Sequence, residues 1–332
     1  MSQPNHSKAR KRHFNIFSTT LSFLRSLFSA LVLYIHKVVV TFTDVFLSLN
    51  FLLSNMTPCT VDLDDQTTMH YWITNHRRFD KPDLVLVHGY GGHSRWQFAY
   101  QVRALSGTFN LYIPDLLFFG KSYTKRGGRS DSFQADCVRE GLRKMGLERY
   151  NVVGISYGGY VAYQMAANYG EEVNKLVIIS SGLCYTEEQK DEHLKKLGNN
   201  IYDLLLPQKP LDVRNMIKLA MYKTDPLKWV PDFFVWASIV LGNTNRKEKS
   251  ELLDHLLARK AGTDVPVLTQ ETLLIWGDHD NVFPIPLAYQ LQRHLGPKCC
   301  RIETVKDTGH AANIESPEVV NKLITSFVLG QS

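Results

Sequence analysis

The chain has 332 residues, enough for one large core with an insertion, and its 44% apolar and 21% charged residues exclude a disordered chain and a polytopic membrane protein. Its net charge of +6 lies wholly before the first acid, because Lys8, Arg10, Lys11, Arg12, Arg25 and Lys37 all precede Asp44. The remainder is neutral overall, so the folded part carries no nucleic-acid footprint.

Residues 1–55 stand apart as a basic and hydrophobic extension. Residues 14–52 are rich in Leu, Phe, Val and Ser, but the longest mainly apolar run, residues 27–35, is interrupted by Ser29 and closed by His36 and Lys37. That run is shorter than the roughly 20 apolar residues of a spanning helix. Three readings stay open: a cleaved organellar transit segment, an interfacial helix giving peripheral membrane association through residues 14–52, and a helix packed on the domain. The expected location is intracellular, either cytosolic or membrane-associated, with organellar import as an alternative. The five cysteines, Cys59, Cys137, Cys184, Cys299 and Cys300, are odd in number and lack metal-type spacing, so they read as reduced thiols.

From Thr60 the composition changes. Residues 60–65 and 67–74 read as two strands joined by an acidic turn, and residues 84–88 as a continuous apolar strand covered on both faces. His88-Gly89-Tyr90-Gly91-Gly92 follows, and glycines there let the backbone turn over the strand end with N–H groups facing outward. Residues 95–105 read as a helix and 109–115 as the next strand. Phe118 and Phe119, in the loop after it, are pocket wall or plain core. Ser130-Asp131-Ser132 caps a helix over residues 133–145.

Tyr150-Asn151-Val152-Val153 then runs as a strand into Gly154-Ile155-Ser156-Tyr157-Gly158, with helical composition after it. A G-x-S-x-G pattern between strand and helix is a nucleophile elbow, whose turn lifts the serine hydroxyl clear of the sheet. Residues 175–182 give another strand, and strands alternating with helices imply a parallel sheet built of right-handed crossovers.

Over residues 183–266 the strand signal stops. Helical pieces at 187–197, 210–223, 231–241 and 247–260 read as an inserted lid, with Trp229, Phe233, Phe234 and Trp236 available to face a pocket or to glue the lid to itself. This splits the core into residues 56–182 and 267–332. Strand character returns at 272–278, followed by Asp278 and Asp280, a helix at 286–295, and a last strand at 300–306 ending near His310. Ser316-Pro317 opens the C-terminal helix.

Ser156, an acid at 278 or 280, and His310 therefore stand past the carboxyl ends of successive strands, the edge where ligands bind in an open parallel sheet. A serine hydroxyl needs a neutral imidazole to take its proton, and the imidazolium formed needs a buried carboxylate to orient and stabilise it. No His, Cys or Asp cluster has metal-ligand spacing, and the glycines around 154 do not form a phosphate loop, so no cofactor and no metal are expected.

From about Thr60 to Phe327 the chain resembles the α/β-hydrolase fold serine hydrolases, through His88-Gly89-Tyr90-Gly91-Gly92, Pro114-Asp115-Leu116, Gly154-Ile155-Ser156-Tyr157-Gly158-Gly159, Trp276-Gly277-Asp278-His279-Asp280 and Gly309-His310. Within that family it resembles uncharacterised plant members similar to bacterial hydrolases of ring-cleavage products. The resemblance implies an eight-stranded-type, mostly parallel sheet flanked by helices, with Ser156, Asp280 and His310 as the triad. It also implies the backbone N–H groups of Tyr90 and Tyr157 as oxyanion donors. Serine at 156 disfavours the epoxide hydrolase and haloalkane dehalogenase branches. Ala311 stands where the carbon–carbon bond hydrolases typically carry Trp, which shifts the expectation towards ester hydrolysis.

The expected activity is hydrolysis of a small-molecule carboxylic ester with a lipophilic or aromatic acyl group, through an acyl-serine. Phe118, Phe119, Trp229, Phe233 and Trp236 are the candidate pocket residues. Carbon–carbon hydrolysis, acyl transfer or lyase chemistry, and a slow-turnover ligand receptor on the same fold remain alternatives.

Overall fold

The computed structural model describes residues 6–197, 201–242, 244–260 and 265–331. Helix α1 (His6–Leu53) leads into a hairpin of β1 (Met56–Asp62) and β2 (Thr67–Thr74), with Met56 opposite Thr74 and Asp62 opposite Thr68. The core continues through β3 (Asp83–Val87), α2 (Ser94–Gln97), α3 (Ala99–Leu105), β4 (Asn110–Pro114), β5 (Tyr123–Thr124), α4 (Asp131–Lys144), β6 (Tyr150–Ile155), α5 (Tyr157–Asn168) and β7 (Val173–Ile179). Among the described residues five helices follow: α6 (Glu187–Leu197), α7 (Ile201–Leu205), α8 (Pro210–Ala220), α9 (Asp232–Gly242) and α10 (Arg246–Ala258). The chain closes with β8 (Glu271–Gly277), α11 (Pro286–Leu295), β9 (Cys300–Val305), α12 (Ala312–Glu315) and α13 (Pro317–Leu329).

The strands form one sheet in the order β1-β2-β4-β3-β6-β7-β8-β9, with β5 paired to β2 off that path. Pairings made by β2 are antiparallel and the rest are parallel. Among the described residues this is the expected mostly parallel, eight-stranded-type sheet, with a ninth, short strand added. The extra strand, β5, has two residues, too few to show a period, and is held by Thr124 Oγ1 at 2.7 Å from Thr67 Oγ1. Alternate strand residues point to two cores, as the period of two requires. Val85, Val152 and Ile178 face the cluster that contains α4 and α5, while Leu84, Val153 and Val177 face the one that contains α3 and α13.

Other boundaries moved for local reasons. The helix expected over 95–105 breaks at Phe98, a fully buried ring with non-helical dihedrals. Ser130 caps α4 as expected, accepting the Phe133 N–H at 2.9 Å. Ser316 takes the N-cap position of α13, but its hydroxyl pairs with Thr308 Oγ1 at 2.8 Å instead of capping. The five cysteines are free thiols.

The N-terminal extension is one 48-residue helix. Its stretch Ser22–Leu53 is long and apolar enough to cross a membrane by length and composition. The side chains of the basic cluster at residues 8–13 lie outside the described residues. The last turns of α1 dock on the core: Leu47 and Phe51 are buried, Phe51 packs edge-on to Trp72 at 5.2 Å, and Asn50 Nδ2 donates to Ala99 O at 2.9 Å; α9 packs against α1 as well. Upstream of these turns most of the described side chains of α1 are exposed.

The turn after β6 depends on two glycines. A β-carbon on Gly154 would lie 2.3 Å from Gly158 O, and one on Gly158 would lie 2.3 Å from Val87 O, both backbone atoms that cannot yield. Gly158→Ala is expected to destabilise the protein by about 1–3 kcal/mol through overpacking, seen as a lower urea midpoint with an unchanged slope.

Candidate active site

Ser156 follows β6 directly and is the N-cap residue of α5, at φ 53° and ψ −119°. A positive φ on a residue with a β-carbon costs on the order of 1–3 kcal/mol and persists only where surrounding packing enforces it; here the close passage of Gly154, Gly158 and β3 does so. The Ser156 hydroxyl does not cap its own helix, and Tyr157, the first residue of α5, has an N–H without an intrahelical acceptor.

His310 and Asp280 meet from two neighbouring loops. His310 Nδ1 lies 3.0 Å from Asp280 Oδ2, and the carboxylate is fully buried. Its other oxygen accepts the N–H groups of Val282 and Phe283, both at 2.8 Å, which fixes the plane of the group. Asp278, the other acid of the motif, points elsewhere. Its Oδ1 lies 2.7 Å from His279 Nδ1 and accepts the Thr308 N–H at 3.1 Å, so it ties the two loops together. Burial raises its pKa, but the His279 hydrogen bond and the backbone donors outweigh this and leave it below the ordinary value.

The loops pass so closely that a β-carbon on Gly277 would lie 2.3 Å from Gly309 O. Glu315 holds the histidine loop from outside: Oε2 accepts the Gly309 N–H at 2.6 Å, and Oε1 accepts those of Tyr222 and Lys223 at 2.9 and 2.8 Å. Phe283 lies edge-on to His310 at 5.4 Å.

The turn carrying Tyr90 is built around His88. Leu116 N–H donates to His88 Nε2 at 2.9 Å, so that nitrogen is unprotonated and Nδ1–H donates to Gly89 O at 2.7 Å. Burial lowers the His88 pKa, consistent with a neutral imidazole. Gln97 Oε1 accepts the Gly89 N–H, orienting the next peptide. The Tyr90 ring packs edge-on to Phe119 and Tyr157 at 5.3 and 5.8 Å, and its hydroxyl donates to Lys249 O. Lys249 is buried; its Nζ lies 4.8 Å from the Phe119 ring and donates to Gly242 O at 2.8 Å, and burial drives its pKa down to about 8.

The candidate pocket residues divide. Phe118 and Phe119 are buried, Phe119 against His88 at 5.2 Å and Phe118 under Arg129 at 4.5 Å. Phe233 is half-buried against Phe234 at 5.0 Å. Trp229 and Trp236 do not line an enclosed pocket: they are 86% and 38% exposed. For Trp236 the helical period explains this, since α9 turns Val235 and Ile239 inward onto Val213 and leaves the intervening positions outside, whereas Trp229 lies in the turn before α9. Sequence reasoning missed Phe283, Gln97, Glu315 and Lys249. Of these, Phe283 alone had a nearby signal, three residues beyond Asp280 in the same loop.

Asp115, just past the end of β4, ties β2 to α2 and to the loop after β4. Oδ2 lies 2.9 Å from His70 Nδ1 and accepts the Lys121 N–H at 3.2 Å, while Oδ1 accepts the Ser94 hydroxyl. Burial raises its pKa, but the His70 hydrogen bond and the neighbouring histidines outweigh it and hold the group well below the carboxylate value of 3.8.

The fold agrees with the known proteins it matches. The alpha/beta hydrolase fold family matches residues 82–317, and the chain belongs to that family. It is similar to human monoacylglycerol lipase ABHD6, 26% identical over 259 residues, covering 75% of each chain. It is also similar to a 2-hydroxy-6-oxononadienedioate/2-hydroxy-6-oxononatrienedioate hydrolase from a Pseudomonas species, 26% identical over 260 residues, covering 74% of this chain and 87% of that one. Among solved structures, a membrane phospholipase A described as a bacterial virulence factor superposes with a TM-score of 0.76 at 20% identity, covering 96% of this chain and 99% of that one.

Because Asp115 has a depressed pKa when folded, its contribution to stability is present above pH 3.8 and is lost as pH falls towards the folded value. Asp115→Asn is expected to cost on the order of 3 kcal/mol at neutral pH and to flatten the acid limb of a stability profile measured by urea unfolding.

Proposed function

We propose that the chain is a serine hydrolase that cleaves a carboxylic ester with a lipophilic or aromatic acyl group, using Ser156, His310 and Asp280. The observation that carries this reading is the His310–Asp280 pair, held at 3.0 Å on the sheet edge where Ser156 is forced into a positive-φ turn. With Nδ1 committed to Asp280, His310 Nε2 serves as the base. It takes the Ser156 proton as Oγ bonds to the acyl carbon, and the oxyanion rests on the Tyr90 and Tyr157 N–H groups. Collapse expels the alcohol, which takes the proton from His310. Water, deprotonated by the same imidazole, then releases the acid and restores the serine.

The relatives named as lipases support an ester substrate, and Ala311 supports it over carbon–carbon cleavage, because a methyl group offers no ring beside the histidine. The insertion α6–α10 acts as the lid. Helix α1, with its apolar side chains uncovered, holds the enzyme on a membrane.

Asp280→Asn is expected to lower kcat on aryl esters by about three to four orders of magnitude, while Asp278→Asn keeps kcat within about tenfold. Steady-state assays on an acyl-chain series check both. Equal losses in the two variants would remove Asp280 from the triad.

A further inference from the structure

Two neighbouring helices turn apolar side chains to solvent. On α1, Phe23, Phe28, Leu31, Phe42 and Phe46 are exposed, and only 6% of the most apolar window is buried. On α9, which packs against α1, Phe234 and Val240 are 41% and 51% exposed, and Trp236 and the nearby Trp229 are also uncovered. Apolar surface on this scale marks an interaction site.

The dimensions and charge of α1 select the partner. Its mostly exposed stretch, from Ser22 to the residue before Asp44, is roughly 33 Å long at 1.5 Å per residue, close to the roughly 30 Å of a bilayer's hydrocarbon core. The chain ahead of it carries Lys8, Arg10, Lys11 and Arg12 with no acid, a charge that favours anionic headgroups. Lys37 lies seven residues from Asp44, within reach of the near interface by snorkelling. At Asp44 the helix meets the domain, where Arg95, just beyond the Tyr90 turn, pairs with the Asp44 carboxylate and donates to Ser48 Oγ. The exposed Trp229 and Trp236 have the amphipathic character of side chains at a membrane–water boundary.

Helix α9 is also connected to the candidate site. It shares a small core with α8, and the α8 residue Met216 places its sulfur 3.6 Å from where a Gly91 β-carbon would lie. The end of α8 is bound to the histidine loop, with Ala311 N–H donating to Ala220 O at 3.0 Å. We propose that the exposed face of α9 docks on an anionic bilayer into which α1 inserts, so that the ester substrate reaches Ser156 from the lipid phase through the lid. This rests on the hydrolase reading and names the substrate class for it: an ester resident in a membrane.

The test uses the full chain reconstituted in phosphatidylcholine and phosphatidylserine vesicles, with and without brominated acyl chains. Brominated lipid is expected to quench part of the tryptophan emission, and the quenched part should disappear in Trp229→Phe/Trp236→Phe. Phe234→Ser/Val240→Ser should still float with vesicles through α1 and hydrolyse a short water-soluble ester within about twofold of wild type. It should turn over a vesicle-borne long-chain ester about tenfold more slowly. Vesicle-bound protein whose Trp229 and Trp236 emission is untouched by brominated lipid would overturn the docking surface, and so would equal loss on both esters in the Phe234/Val240 variant. Normal quenching in a protein inert towards both esters and towards fluorophosphonate would overturn the delivery role through failure of the hydrolase reading, while leaving the docking surface standing.

Discussion

Three backbones cross at the elbow with no room for a β-carbon. Gly158 lies against the carbonyls of Val87 and His88, Gly154 lies against Gly158, and Ser156 between them is left at φ 53°. The strain is local, but the packing that enforces it belongs to the centre of the sheet, where β6 pairs with β3 from Leu84–Asn151 to Val87–Gly154. The same contact that lifts Ser156 therefore sets where β3 ends, and with it the His88 turn that carries Tyr90. Ser156 and the Tyr90 turn are placed by one piece of packing, which is what the proposed nucleophile and oxyanion donors would need for preorganised electrostatic stabilisation.

Much of this was legible in the sequence because it is local or periodic. The apolar runs marked β3, β6, β7 and β8, the glycines marked the tight turns, and the order Ser156, acid, His310 marked one sheet edge. Choosing between Asp278 and Asp280 needed either a family spacing or the coordinates. Residue chemistry is identical at the two positions, and the choice is made by whether the carboxylate meets His310 or Thr308 N–H. Gln97, Glu315 and Phe283 were not legible because their roles come from what other segments bring to them. The direction of Trp236 was not legible for a related reason: composition shows that an aromatic is present, and the helix phase set by Val235 and Ile239 decides which way it faces.

The insertion and the N-terminal helix make best sense together. Residue chemistry in α1 alone leaves several fates open. Its pairing with α9, and the contacts of α8 with Gly91 and the histidine loop, connect an exposed apolar helix to the candidate site. In the proposed arrangement membrane attachment and access to Ser156 would share the same helices.

The most direct measurement is covalent trapping: the protein in detergent is treated with a fluorophosphonate, digested and analysed by mass spectrometry. The account predicts one phosphonylated peptide, modified at Ser156, with no adduct in Ser156→Ala and a greatly slowed one in His310→Gln. Folded wild type that remains unmodified, or is modified at another residue, would contradict it.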